Sequence, residues 1–428
     1  VGKQRIRRER TAVAALFFTN GALFANLAPR FPEIKADLEL SNTAFGLSVA
    51  AFSAGALLSG LTAAALIRRF GPANVAVCAS LLLGALAVAA GAAPTPVLFA
   101  AAMFVAGSAD AVTDVGQNAT GLSVQREYGR SIINSLHATW SVGAIAGGAA
   151  AAAAIALDVP RVWQLSTVAV LCALVCLLGL RALSEVSVVT DPPARSQARA
   201  TPGAAPALAL AALAALAIAG AFVEDAGSSW ATLYLGELGA PPALAASGFI
   251  ALVSFQFIGR LIGDRLVDRF SERTVVRGGG ILIAVGMGTA LACPTVPMTV
   301  VGFALAGLGV ASAVPAAFHG ADRVAGLRPG TGLTIVSWLM RGGFLLSPVL
   351  VGALADAASL RISLLSVVVA GAAIAVLATA LHSGVHGAEQ LNDQHAGDDQ
   401  PDARDHHRRE PFGEQEPRDH RDQRDTAG

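Results

Sequence analysis

Asp110, Asp114 and Asn118 recur at intervals of four inside a long apolar stretch. In a helix that spacing stacks all three on one face. An ionisable group in such a stretch costs about 2.5–3.5 kcal/mol to insert into a bilayer, so its presence asks for a role or a partner. Two carboxylates one turn apart in a low dielectric share charge poorly, the arrangement in which one of them takes up and releases a proton. The structural alternative is a packing network with Arg, Asn or His. Glu224 and Asp225 form a second acidic pair, about 17 residues into another apolar segment. They read either as a proton or solute site or as a gate at the segment's outer half. Arg341 is the one basic residue read as lying deep in an apolar segment, and it must face water or pair with Asp114, Asp110 or Glu224.

Uncharged groups surround these. Trp140 and Trp338 sit at similar depths, where aromatic faces suit a sugar ring or a planar drug, or pack against glycine-rich neighbours. Trp230 lies nearer an interface. Asn20 and Asn26 supply donors and acceptors for hydroxyl groups, or join helices. His137 and His319 titrate near neutral pH when unperturbed, so each is either a relay or a satisfied interface histidine. The cluster Gly263-Asp264-Arg265-Leu-Val-Asp268-Arg269 is read as mechanical, with carboxylates that hold a neighbouring helix end in one conformation and release it in another.

Twelve apolar segments must position these residues: 11–29, 44–66, 75–94, 97–122, 132–156, 162–182, 207–233, 242–263, 275–294, 297–319, 332–355 and 361–382. Each meets the length of about 20 residues that spans a bilayer, and open backbone is not tolerated there, so each is expected to be a helix. The runs are continuous, without the alternation of a β-barrel. Composition agrees. Of 428 residues, 54% are apolar and 14% charged, and mean hydropathy is +0.59. Residues 384–428 hold 18 of the 60 charges, which leaves about 11% charged over the rest against about 25% in soluble domains. A soluble enzyme, a disordered scaffold and a nucleic-acid binder are excluded; this is an all-α integral membrane protein.

The first apolar stretch follows Lys3-Gln-Arg-Ile-Arg-Arg-Glu-Arg10 without a small-residue cleavage site, so it is read as a membrane helix rather than a signal peptide. Counting Lys and Arg at the segment ends puts 19 on the side of the N-terminus and 4 on the other, which predicts both termini in the cytoplasm. Segment 184–206 is polar and Pro-containing, a cytoplasmic linker that divides the chain into 1–183 and 207–383. The tail 384–428 is expected to be disordered; within it, Asp405-His-His-Arg-Arg-Glu410 reads as a solvated run before it reads as a metal site. The four cysteines lie in apolar runs and fit neither a disulfide framework nor a metal spacing. No nucleotide-binding or hydrolytic motif is found: Gly307-Leu-Gly309 follows no strand. No cofactor and no enzymatic activity are expected.

A shift of 200 residues aligns Arg69-Phe70-Gly71 with Arg269-Phe270-Ser271, Gly107 with Gly307 and Gly143 with Gly343. Six-helix parallel repeats place a solute site between the halves near the midplane. Twelve helices, this repeat and a basic loop after the second helix of each half resemble the major facilitator superfamily. Asp268-Arg269-Phe270-Ser271-Glu272-Arg273 matches part of that family's loop signature. In the first half Ala64 and Arg68 stand where its Gly and Asp are expected.

Gly259-Arg260-Leu-Ile-Gly263-Asp264-Arg265, Asp114-Val-Gly-Gln-Asn118-Ala-Thr-Gly121, His137-Ala-Thr-Trp-Ser-Val-Gly143 and Glu224-Asp-Ala-Gly-Ser-Ser-Trp230 resemble a bacterial inner-membrane branch related to fucose-type permeases. The resemblance implies a fold of two six-helix bundles and transport by alternating access, and within the acidic pairs it favours Asp114 and Glu224.

The reading is a secondary transporter of a small polar solute, such as a sugar, coupled to protons through Asp114, Asp110, Glu224 and Asp225. Solute contacts are assigned to Asn20, Asn26, Asn118, His137, Trp140, Trp230, Trp338 and Arg341, and the conformational switch to Asp264, Arg265, Asp268 and Arg269. Proton-antiport efflux of amphipathic drugs is the alternative, followed by a membrane sensor that moves no solute. The expected partners are the solute, the proton and the lipid bilayer, without nucleic acid, around a monomer in a bacterial-type inner membrane.

Overall fold

The computed structural model of the protein describes residues 2–183, 204–324, 327 and 330–381. Most of the predicted linker and all of the tail, with its Asp405–Glu410 run, lie outside the described residues. The described residues contain helices and no strand. Among the described residues, twelve spans are long and apolar enough to cross a membrane. The first half contains α1 (Gly2–Leu27), α2 (Asn42–Phe70), α3 (Pro72–Gly91), α4 (Pro96–Tyr128), α5 (Ile133–Ala156) and α6 (Arg161–Leu183). The second contains α7 (Ala204–Glu237), α8 (Ser247–Phe270), α9 (Glu272–Ala292), α10 (Val296–Val310, resumed over Ala313–Asp322), α11 (Thr331–Ala357) and α12 (Leu365–Leu377).

Local chemistry sets the ends. Thr95 and Thr295 each accept a hydrogen bond from the backbone N–H three residues on, at 3.4 Å, satisfying one of the free donors at a helix start. Helix α4 ends where Gly129 adopts φ 71°, a left-handed conformation glycine takes without a Cβ penalty. Helices α1 and α4 run past the predicted apolar segments because charged residues with good helix propensity, such as Arg126 and Glu127, continue the helix outside the hydrocarbon. Leu171, Leu174 and Leu178 of α6 stay exposed, as expected of a face that meets lipid chains.

The repeat seen in the sequence is a repeat of contacts. Gly107 of α4 packs on the Phe52 carbonyl of α2, and Gly307 of α10 packs on the Leu252 carbonyl of α8; a Cβ at either glycine would collide with that oxygen. Gly143 meets the Phe18 carbonyl and Gly343 the Ile218 carbonyl in the same way. Arg161 Nε donates to the Gly91 carbonyl, and Arg361 Nε to the Leu291 carbonyl. Every pair is related by the same 200-residue shift. Small residues let backbones approach closely where no hydrophobic effect drives association, which is why these positions carry glycine in both halves.

The halves meet along two seams, α2 with α11 and α5 with α8. The contacts between them lie toward the end of the bundle that carries the loops before α2 and α8. Phe31, Phe45 and Trp230 form a chain of edge-to-face rings, with centroids 5.4 and 5.3 Å apart. Phe45 and Trp230 are fully buried. Gly46 packs on the Pro348 carbonyl, Gly148 on the Phe249 ring, and Asp356 of α11 accepts the Asn42 and Thr43 backbone N–H groups at 2.9 and 2.7 Å. Among the described residues no side-chain hydrogen bond or aromatic contact joins the halves at the opposite end. His137, Arg260 and Trp338, further along the same seams, are exposed. A cleft between the halves thus opens toward the end that carries the N-terminus.

Candidate functional site

Three helices of the first half converge on one hydrogen-bonded chain. Gly21 lets α1 press against the Trp140 carbonyl of α5, and at that crossing the short Asn20 side chain reaches both neighbours. The Trp140 indole N–H donates to Asn20 Oδ1 at 2.7 Å, and Asn20 Nδ2 donates to Asp110 Oδ1 at 2.8 Å. An amide is suited to the centre of such a chain because it accepts and donates at once. Asn20 is 3% exposed, so neither bond competes with bulk water. Asp110 itself is half-buried, and Arg341 of α11 lies within its electrostatic reach from the other half without forming an ion pair.

One turn further along α4, Asp114 Oδ1 accepts from Asn118 Nδ2 at 2.9 Å and from Gln117 Nε2 at 3.4 Å. Its hydrogen-bond partners are on its own helix, whereas Asp110 ties α4 to α1 and α5. His137 of α5 sits within the fields of both Asp114 and Arg260, with its ring edge-on to Phe17 at 5.2 Å. Arg260 in turn stands 4.0 Å from Glu224. Across the cleft Asp110 thus faces Arg341, while His137 and Arg260 face each other, each backed by a carboxylate of its own half, Asp114 and Glu224. Asp225 points elsewhere, toward Ser347 of α11 and Ser229; its buried Oδ2 and the Ser347 hydroxyl are left without a hydrogen bond.

The structure separates other predicted site residues from this group. Asn26 is buried in a different network, where Gln164 Nε2 donates to Asn26 Oδ1 at 2.6 Å and Gln164 Oε1 accepts from Arg30. Trp230 is packed into the aromatic seal against Phe45, with its indole N–H unpaired. Trp338 is 56% exposed and is not the repeat counterpart of Trp140, which is Met340. Asp264, Arg265 and Asp268 are exposed at the last turns of α8 without hydrogen-bond partners among the described residues, and Arg269 lies over the Phe270 ring. His319 contacts Glu272 at 3.4 Å, near the ends of α10 and α9, away from the cleft group.

Arg341 is not the one cation inside a span, because Arg260 is the fourteenth residue of α8 and also meets a carboxylate. The insertion cost that singled out Arg341 applies to it equally, and that signal would have found it. Gln117, 1% exposed with Oε1 unpaired, carried no such signal, since amides are common in helix contacts. No group of three or more His, Cys, Asp or Glu side chains converges on a metal site among the described residues.

Comparison with known proteins agrees with this architecture. The chain is 30% identical over 371 residues to an uncharacterised transporter, y4wD, of Sinorhizobium fredii, covering 86% of this chain and 97% of the relative. It is 27% identical to the membrane protein MosC of Rhizobium meliloti, covering 85% and 88%. In fold it is similar to the nucleoside transporter NupG, with a TM-score of 0.66 at 13% identity, covering 87% of this chain and 98% of that one. A bacterial homologue of the lysosomal transporter Spinster, in an inward-facing and occupied conformation, gives a TM-score of 0.68 at 14% identity, covering 86% and 94%. The family model for the Major Facilitator Superfamily matches residues 13–266 and 251–410. With its twelve helices and repeated halves, the chain belongs to the major facilitator superfamily and is a non-enzymatic membrane transporter.

Proposed function

We propose that this transporter moves a small polar solute together with protons, by rocking bodies 1–183 and 207–383 about the seams α2–α11 and α5–α8. The observation that carries the reading is the chain Trp140–Asn20–Asp110 facing Arg341 across the cleft. A carboxylate and a guanidinium on opposite halves, close enough to feel each other and not in contact, leave room for a hydroxyl or carboxyl group between them. Charge-assisted hydrogen bonds to such a group contribute about 1.5–3 kcal/mol each. A proton on Asp110 would end its pull on Arg341 and free the guanidinium for the solute, and a solute bridging the two would then draw the halves together with the proton on board. That couples solute, proton and conformation through differential affinity for two states.

Asp110 is preferred over Asp114 as the coupling carboxylate, because its partners lie on other helices and a change of its charge is felt by α1, α5 and α11. Glu224 with Arg260 forms the corresponding pair on the second half, and Asp114, Asn118 and His137 line the approach. The distribution of Lys and Arg supports cytoplasmic termini, so the cleft described here faces the cytoplasm. Asp264, Arg265, Asp268 and Arg269 then lie at the cytoplasmic end, free in this conformation and available to hold the halves together in the other. The pathway lies within one chain, which supports a monomer in a bacterial inner membrane. Placement in the fucose-permease-related branch rests on the sequence motifs.

Purified protein in liposomes with a pH dye inside tests the reading. Internal acidification on adding an external sugar or organic acid is expected, and Asp110→Asn is expected to abolish it while solute exchange at equal concentrations continues. Alkalinisation on adding a cationic drug would replace this reading with proton-antiport efflux. Saturable flux with no pH change in either case would refute proton coupling.

A further inference from the structure

A groove of about 600 Å³ runs between α1 and α6 at the end of the bundle that carries the N-terminus, outside the cleft between the halves. Its wall on α1 is a stripe at helical spacing, Gln4, Arg7 with Arg8, Thr11 with Ala12, and Ala15. The wall on α6 is Val175, Leu178, Gly179 and Ala182. Polarity is graded along the groove. The two guanidiniums, the Gln4 amide and the Thr11 hydroxyl are at the mouth, and deeper positions are alanine, glycine, valine and leucine.

Among the described residues, Arg7 and Arg8 are exposed without a hydrogen-bond or ion-pair partner and no carboxylate lines the groove. Glu9, the acidic residue next in sequence, is turned away and bound by Arg5. Gly179 keeps the floor low: a Cβ there would touch Ala12 at an ordinary 3.7 Å, so the space above it is open.

We propose that this groove is a binding site for one anionic phospholipid, with its phosphodiester held by Arg7 and Arg8 and the upper part of an acyl chain lying along Val175, Leu178 and Gly179. The charge complementarity argues for an anion. The apolar floor, continuous with the lipid-facing surface of α6, argues for a lipid rather than a soluble phosphate. Paired arginines between membrane helices on the side of excess positive charge have the chemistry that recognises such headgroups. This inference is independent of what the central cleft carries.

Native mass spectrometry of the purified full-length protein, released from detergent with added lipid, reads the site directly. One retained phosphatidylglycerol per chain is expected, with little phosphatidylcholine at the same ratio. The double variant Arg7→Gln, Arg8→Gln is expected to weaken retention about tenfold or more. Gly179→Leu, which leaves both charges in place and fills the floor, is expected to weaken it as well. Arg68→Gln with Arg69→Gln, a basic pair on the same side outside the groove, is expected to leave retention unchanged.

Equal retention of both lipids, or equal loss with either arginine pair, would overturn the proposal in favour of diffuse charge attraction. Displacement of the lipid by millimolar inorganic phosphate, or full retention in Gly179→Leu, would overturn the lipid assignment in favour of a simple anion site.

Discussion

Removing the Asp356 carboxylate is expected to loosen the sealed end of the bundle. Asp356 sits at the last turn of α11 and caps the first turn of α2, with Oδ1 2.9 Å from the Asn42 N–H and Oδ2 2.7 Å from the Thr43 N–H. Two free amide donors at a helix start, together with the partial positive charge of that end, favour an anion there. Loss of a capping side chain costs about 0.5–2 kcal/mol, and because Asp356 is exposed to solvent a value of about 1 kcal/mol is appropriate. All of it acts between the halves, since α2 and α11 belong to different ones. The other seam has no equivalent. The repeat counterpart of Asp356 is Ala156, and that of Asn42 is Pro242, which has no N–H to give.

An interaction of about 1 kcal/mol corresponds to about a fivefold change in the ratio of sealed to open protein. Ser48, 5% exposed and nearly two turns into α2, reports that ratio when replaced by cysteine in a chain whose four native cysteines are removed. In Asp356→Ala the rate of maleimide labelling at position 48 is expected to rise about fivefold in detergent. Asp158→Ala, at the same end without contact to α2, is expected to leave it unchanged. An unaltered rate in Asp356→Ala, with protein as thermally stable as the parent, would refute the view that this cap holds the seam closed.

Four further outcomes follow from the same contacts. Asn20→Ala leaves a partly buried indole N–H and a carboxylate without their shared partner, and is expected to cost about 1–3 kcal/mol, seen as a lower Tm. Gly107→Val and Gly307→Val each drive a branched side chain into a carbonyl of the adjacent helix, and both are expected to lower stability by about 1–3 kcal/mol, as repeat-related positions should. Arg260→Gln removes the cation between His137 and Glu224, and is expected to weaken solute binding in equilibrium binding assays more than it lowers Tm. Trp230→Ala empties the aromatic seal at Phe45, and is expected to raise labelling at position 48 without changing solute affinity at the cleft; an effect on affinity would show that Trp230 touches the solute.

Much of the architecture is legible from hydrophobic length alone. Burying a backbone in lipid leaves few choices, so twelve apolar runs of about 20 residues yield twelve helices, and the glycines repeated at a distance of 200 already mark where backbones must touch. The cost of placing charge in such runs also selected Asp110, Asp114, Glu224 and Arg341 before any contact was known.

What the chain pattern does not contain is which of these side chains meet. Periodicity orders residues around one helix and says nothing about the rotation of its neighbour. Asn20 and Asn26 looked alike for that reason, yet one completes a chain from Trp140 to Asp110 and the other is bound by Gln164. The adjacent acids Glu224 and Asp225 part in the same way, one toward Arg260 and the other toward Ser347, because consecutive residues on a helix point about 100° apart. Trp230, indistinguishable by type from a cleft residue, is committed to the seal by Phe45, and Asp356 to the start of α2. Composition and spacing determined that charges had to be accommodated inside the membrane; only the packing of the two halves against each other decided which charge faces which.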